Sequence, residues 1–196
     1  MSPQPVSSPS PASAKIVISG GFGVGKTTLV STISEIPPLR TEAEMTTAGV
    51  GTDDRALLAA KTSTTVALDF GRITISDNVR LYLFGTPGQE RFSFMWDDLV
   101  DGALGALVLV DTRRLEACYE AIDYYESRGI AFVVAVNQFA DGPRHRLDQV
   151  RTALNVQESV PILRFDARDR ESVKDVLIRL LDVLLARSHR AASVGE

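Results

Sequence analysis

Gly20-Gly21-Phe22-Gly23-Val24-Gly25-Lys26-Thr27 is the stretch that decides how this chain folds. It fits the pattern G-x-x-x-x-G-K-[ST]. In that pattern the glycines let backbone N–H groups turn inward around phosphate oxygens. The lysine adds a point charge at the β- and γ-phosphates, and the Ser/Thr hydroxyl ligates Mg²⁺. The flanks agree with this reading. The apolar run Lys15 to Ser19 precedes the loop as a predicted buried strand. Gly25 to Glu35 follows as a predicted helix, closed by Pro37-Pro38, which cannot continue it.

Working outward, apolar runs alternate with amphipathic ones. Thr64 to Phe70 and Val79 to Phe84 read as strands, and Asp77-Asn78 reads as a hairpin turn that makes this pair antiparallel. Leu104 to Val110 is a continuous apolar run, as expected of a central parallel strand, and Ala131 to Val136 is another. Glu116 to Arg128 reads as a helix, and Pro161 to Phe165 as a short strand. Glu171 to Arg187 places Val173, Val176, Leu177, Leu180 and Leu184 on one helical face. The expected fold is therefore a three-layer α/β domain, with a mostly parallel six-stranded sheet and one antiparallel edge. The domain is expected over residues 15–187. A Ser/Pro-rich arm, 1–14, precedes it and a loose tail, 188–196, follows.

Bulk properties exclude several classes. The chain has 196 residues, 44% apolar and 23% charged, with a formal charge of −4. Such a surface does not draw in nucleic acid over a distance. Cys118 is the single cysteine, which rules out an internal disulfide and suits the reducing cytoplasm. No apolar run approaches the roughly 20 residues of a membrane span. Neither end carries a secretory signal or a lipidation motif, so no direct membrane anchor is expected. His145 and His189 are isolated, so no zinc site is expected.

Further motifs narrow the family. Phe84-Gly85-Thr86-Pro87-Gly88-Gln89-Glu90-Arg91-Phe92 resembles the second switch of Ras-like GTPases, where Asp-x-x-Gly-Gln-Glu touches the γ-phosphate. Thr65-Val66-Ala67-Leu68-Asp69-Phe70 resembles the segment carrying the first-switch threonine. Val134-Ala135-Val136-Asn137-Gln138 resembles the start of the guanine-reading Asn-Lys-x-Asp motif, and Asp166-Ala167-Arg168 resembles the Ser-Ala-Lys loop. The order and spacing cover residues 15–187. The wording around the second switch is similar to bacterial MglA-like GTPases, and among them to those of actinobacterial conservon operons. That resemblance implies a P-loop, Ras-like fold, GTP/GDP and Mg²⁺ as ligands, and slow GTP hydrolysis. It also implies a dimeric Roadblock/LC7-type regulatory partner and, indirectly, a sensor-kinase-like membrane protein.

Carried over residue by residue, the resemblance assigns phosphate binding to Gly20, Gly23, Val24, Gly25, Lys26, Thr27, Thr28 and Gly88. Base binding falls to Asn137, Gln138, Asp141, Ala167 and Arg168, and the metal to Thr27 and Thr65. Catalysis falls to Gln89, which orients the attacking water, with Thr65 and Lys26. Three departures stand out. Gly85 replaces the aspartate that holds the metal's water shell, so the metal is expected to matter little in the GDP state unless another carboxylate, Asp69 first, has taken over. Ala140 stands where the base-pairing aspartate belongs, and a one-residue bulge is needed to deliver Asp141. Phe22 occupies the loop position nearest the γ-phosphate and adds bulk there.

The interval of 38 residues from Thr27 to Thr65 is long, and Met45 to Asp54 within it reads as a mobile first switch. No arginine immediately precedes Thr65, and Arg55 lies too far upstream to be preorganised. In the run Arg91 to Trp96, Phe92 and Met95 are expected to pack inward and the others to face a partner. The rival to a GTPase is a nucleotide-binding scaffold that no longer hydrolyses, favoured by Gly85 and Phe22. A P-loop kinase is disfavoured, because no lid of clustered arginines follows the central strands.

Overall fold

The computed structural model describes residues 11–37, 39–45, 64–88 and 95–194. Its sheet has seven strands: β1 (Ala12–Ser19), β2 (Leu39–Met45), β3 (Thr64–Ser76), β4 (Val79–Gly85), β5 (Gly105–Val110), β6 (Phe132–Asn137) and β7 (Ile162–Phe165). Their spatial order is β2-β3-β4-β1-β5-β6-β7. β3 runs antiparallel to both its neighbours, and the remaining pairs are parallel. The expected α/β sandwich with one reversed strand is present. It carries one strand more than the six expected, because β2 pairs along β3 from Leu39 opposite Phe70 to Met45 opposite Thr64. The reversed strand is therefore not the edge.

Helices cover both faces: α1 (Lys26–Ile33), α2 (Trp96–Val100), α3 (Tyr119–Ser127, entered through a 3₁₀ turn at Leu115–Cys118), α4 (Leu147–Leu154) and α5 (Arg170–Val194). The continuous apolar runs are explained by this double cover. On β1, Ile16 and Ile18 face α1 and α5 while Val17 faces the opposite layer. On β5, Leu107 and Leu109 point one way and Ala106, Val108 and Val110 the other. Each such fully buried Leu or Ile contributes roughly 1.5–3 kcal/mol through removal of its side chain from water.

Two elements extend past the bounds expected from sequence. β1 begins at Ala12, inside the expected arm, because Ala12 N–H donates to the Asn78 carbonyl (2.7 Å) and the strand pairs with β4 from Val79 onward. α5 runs through Val194 instead of giving way to a tail at 188, since the helical backbone continues past the last core contact. Among the described residues no helix is long and apolar enough to cross a membrane.

β1 lies between β4 on one side and β5 on the other. The chain leaves β1 toward one flank and later returns to the other, so the loop after β1 opens into the crevice where parallel α/β sheets bind ligands.

Candidate nucleotide-binding site

The loop from Gly20 to Gly25 wraps the N-terminus of α1. Gly25 sits at φ 110°, in the left-handed region, and a Cβ there would stand 2.7 Å from the Asn137 Nδ2. Only glycine meets both conditions. No side chain caps α1 and no acid stands in its first turn. The helix's first N–H groups and its positive dipole end thus remain available for an anion.

Lys26 is 8% exposed, and its Nζ donates to the carbonyls of Gly20 (2.6 Å) and Gly21 (2.8 Å). Burial pulls the ammonium down to about 8, and the Asp69 carboxylate acts in the opposite sense. A phosphate chain would restore the charge that burial disfavours. Gly88, from the second-switch segment, lies directly on this lysine: a Cβ there would be 2.7 Å from Lys26 Nζ and 2.9 Å from the Phe22 Cα. Thr86 anchors that segment, with its N–H donating to the Ile18 carbonyl (2.8 Å) and its hydroxyl 3.4 Å from Ser19. Ser19 in turn shares a hydrogen bond with Tyr125 on α3.

Asn137, at the end of β6, ties two loops together. Its Nδ2 donates to the Val24 carbonyl (2.9 Å) and its Oδ1 accepts from the Ala167 N–H (3.1 Å). Gly23, Gly25, Thr28, Asn137, Gln138, Phe139, Ala140, Asp166, Ala167 and Arg168 line a pocket of about 160 Å³, partly open to solvent. This is where the base of a nucleotide held by Lys26 would lie. Gln138 is fixed by its backbone, whose N–H donates to the Phe165 carbonyl (2.8 Å). Arg168 forks onto Asp166 (2.9 and 2.7 Å), holding that carboxyl below the usual carboxylate range.

The assigned residues fare differently. Gly20, Gly23, Val24, Gly25, Lys26, Thr27, Thr28 and Gly88 converge on one cradle, and Asn137, Gln138, Ala167 and Arg168 adjoin it. Asp141 is exposed and does not line the pocket; Ala140 does. The Asp141 carboxylate adds a small field at Arg113, whose main partner is Asp111. Thr65 is placed by its backbone in β3, opposite Glu44 and four residues before Asp69. At about 3.3 Å per residue that is roughly 13 Å along the strand from the residue that touches Thr27. Gln89 and most of the long first switch lie outside the described residues, as do Arg55, Arg91, Phe92 and Phe94. Met95 is half-buried, whereas Trp96, expected among the partner-facing residues, is the one that is buried. It packs edge-on against Tyr124 at 5.2 Å in the core beneath α3, which an indole fills better than solvent would tolerate.

The stretch after β5 was not singled out from sequence. Arg114 Nη2 donates to the Phe22 carbonyl (2.9 Å), so a guanidinium sits against the phosphate loop. Beside it Arg113 forks onto buried Asp111 and stacks at 4.0 Å on the Phe139 ring. The available signal was position: Asp111-Thr112-Arg113-Arg114 follows a fully apolar strand at the carboxyl edge of the sheet.

The chain is similar to known proteins in sequence and in fold. Residues 18–187 match the family described as conserved hypothetical ATP binding protein. The chain belongs to that family. An uncharacterized protein of Methanocaldococcus jannaschii is 30% identical over 126 residues, 63% of this chain and 69% of that protein. The Ras-related protein Rab-12 of Mus musculus is 25% identical over 193 residues, 91% of this chain and 71% of its own length. Among solved structures, the G domain of the T. maritima FeoB iron transporter superposes with a TM-score of 0.61 at 15% identity, covering 88% of this chain and 99% of that one. The FeoB G domain of Methanococcus jannaschii gives 0.57 at 14% identity, covering 88% and 98%. These two likenesses show the fold. The family and the cradle together make this a nucleotide-binding protein with a G-domain-like architecture.

Proposed function

We propose that the protein is a nucleotide-controlled switch that binds GTP and GDP with Mg²⁺ and hydrolyses GTP slowly. The contact of Gly88 with Lys26 and Phe22 carries this reading. A γ-phosphate arriving at Lys26 meets the segment leading into Gln89 and α2, so di- and triphosphate forms present different surfaces. Gln89 orients the attacking water. Phe22, 69% exposed on the loop, narrows access for it and offers an aromatic anchor to a partner. The resemblance to MglA-like and conservon GTPases supports a Roadblock/LC7-type dimer as that partner, acting in the cytoplasm with a sensor-kinase-like protein.

Incubation with GTP and chromatography of the products tests the hydrolysis. Slow conversion to GDP that Gln89→Leu abolishes is expected. Binding without conversion, unchanged in that variant, would establish the scaffold reading instead. A second reading concerns the base. Ala140 in the pocket lining and the exposed position of Asp141 favour weak discrimination between guanine and adenine. Parallel titrations with GDP and ADP decide it.

A further inference from the structure

We propose that Arg114 is an intrinsic catalytic arginine: when GTP is bound, its guanidinium leaves the Phe22 carbonyl for the oxygens around the β–γ bridge and steadies the charge that builds there. This rests on the hydrolysis reading above and adds a residue to it.

The backbone of Arg114 is fixed against the phosphate loop. It belongs to a tight turn after β5, where the Arg114 N–H donates to the Asp111 carbonyl (2.9 Å) and the Ala117 N–H donates to the Arg114 carbonyl (3.2 Å). Asp111 itself is buried and forked by Arg113. The turn touches the loop directly, since a Cβ on Gly21 would stand 2.5 Å from the Ala117 Cβ. From this base the side chain crosses to the loop. Its Nη2 donates to the Phe22 carbonyl (2.9 Å), and a Cβ on Gly23 would lie 3.6 Å from it. By the resemblance set out above, Phe22 is the loop position nearest the γ-phosphate. The guanidinium therefore waits beside the bond that hydrolysis breaks.

The side chain can change partners at little cost. Arg114 is exposed, forms no ion pair among the described residues, and spends an N–H of its fork on a neutral carbonyl. A charge-assisted bond to a phosphate oxygen is about twice as strong as a neutral one. The other charges of the site differ in kind. Lys26 is buried and held by two loop carbonyls, so it grips substrate and transition state alike. Thr27 Oγ1 donates to Asp69 Oδ2 (2.6 Å), a hydroxyl and a carboxylate that suit Mg²⁺. In hydrolysis the water oxygen bonds to the γ-phosphorus as the bond from that phosphorus to the bridging oxygen breaks. GDP leaves with the electron pair of that bond. One proton of the water stays on the released phosphate and the other passes to solvent. Negative charge gathers on the bridging and γ-phosphate oxygens, where a planar, forked cation is well matched to it. Among the described residues, Arg114 is the one arginine whose side chain bonds to the phosphate loop. Ordering a long exposed side chain at each turnover has an entropic cost, which keeps the unaided rate low.

The test is single-turnover phosphate release from GTP-loaded, full-length wild type, Arg114→Ala and Arg114→Lys, with GDP and a non-hydrolysable GTP analogue titrated against each. Thermal unfolding checks that each variant folds. Arg114→Ala should slow the chemical step about 100-fold. Both affinities should stay within about threefold, the signature of a contact made only in the transition state. Arg114→Lys, which keeps a cation but loses the fork, should retain a small part of the rate. Millimolar guanidinium ion should speed Arg114→Ala and leave the wild type unchanged, which a merely structural loss would not allow. An Arg114→Ala rate equal to that of the wild type overturns the assignment. So does a slower rate matched by an equal loss of GDP affinity, because Arg114 would then grip the ground state. A wild type that binds GTP and never releases phosphate removes the hydrolysis reading itself, and the role of Arg114 with it, while nucleotide binding stands.

Discussion

The two ends of the nucleotide site are built from different materials. At the phosphate end the contacts come from backbone carbonyls, a buried lysine and an uncapped helix start, all attached to β1 in the middle of the sheet. At the base end, Gln138 and Phe139 are half-buried while Ala140, Asp141 and Arg168 are exposed. What every nucleotide shares is thus gripped by the fold, and what distinguishes one base from another is left to surface side chains. Changes at the first end should cost binding or stability outright, and changes at the second should alter selectivity by small factors.

The largest effect is expected from Lys26→Ala. It removes a charged partner of the phosphates and leaves the Gly20 and Gly21 carbonyls without their donor, so GDP affinity should fall about 100-fold. Calorimetric titration measures this, and a loss below tenfold would mean that the backbone cradle alone grips the phosphates. Asn137→Ala comes next. It orphans the Val24 carbonyl and the Ala167 N–H, both in buried surroundings, at about 2–3 kcal/mol. For a domain of this size that lowers Tm by roughly 4–12 °C, even with nucleotide removed. An unchanged melting curve would show that Asn137 belongs to the base end in function as well as in sequence. Asp141→Ala should then change GDP affinity by less than about threefold, in line with its exposed position. A tenfold loss would break the comparison, because the base end would have to close around its ligand. The smallest expected signal is Cys118. Burial raises its thiol to about 12, so it should resist alkylation at pH 8 in the folded protein. Since Cys118 lines the small cavity behind Gly21 and Phe22, ready labelling would reveal that the phosphate end opens.

The same division governs what could be read in advance. The phosphate loop was legible because its chemistry demands particular residue types at fixed spacing within eight positions. The central strands were legible because burial on both faces leaves only apolar residues. Leu39–Met45 was missed as a strand because Arg40, Glu42 and Glu44 are poor strand formers, and pairing with β3 overrides that preference. α4 was missed because it is short, although Leu147, Val150 and Leu154 lie on one face. Asp69 could be suspected from sequence, but its place opposite Gly85 and beside Thr27 depends on the β3–β4 register, which no local pattern specifies. Where Asp141 stands, exposed and outside the lining of the base pocket, depends on the path of the turn after β6, which composition does not encode.

Trp96 carries one more consequence. It is the only tryptophan in the chain, and it begins the helix that follows the Gly88–Gln89 segment. Its ring is 6% exposed and edge-on to Tyr124, and its Nε1 has no hydrogen-bond partner among the described residues. An indole so placed is a built-in optical reporter: emission excited at its absorption edge comes from one site, free of other tryptophans and free of any attached dye. Any rearrangement that reaches α2 when nucleotide arrives would be written into the colour and intensity of that emission, and the unlabelled protein would record its own switching in real time.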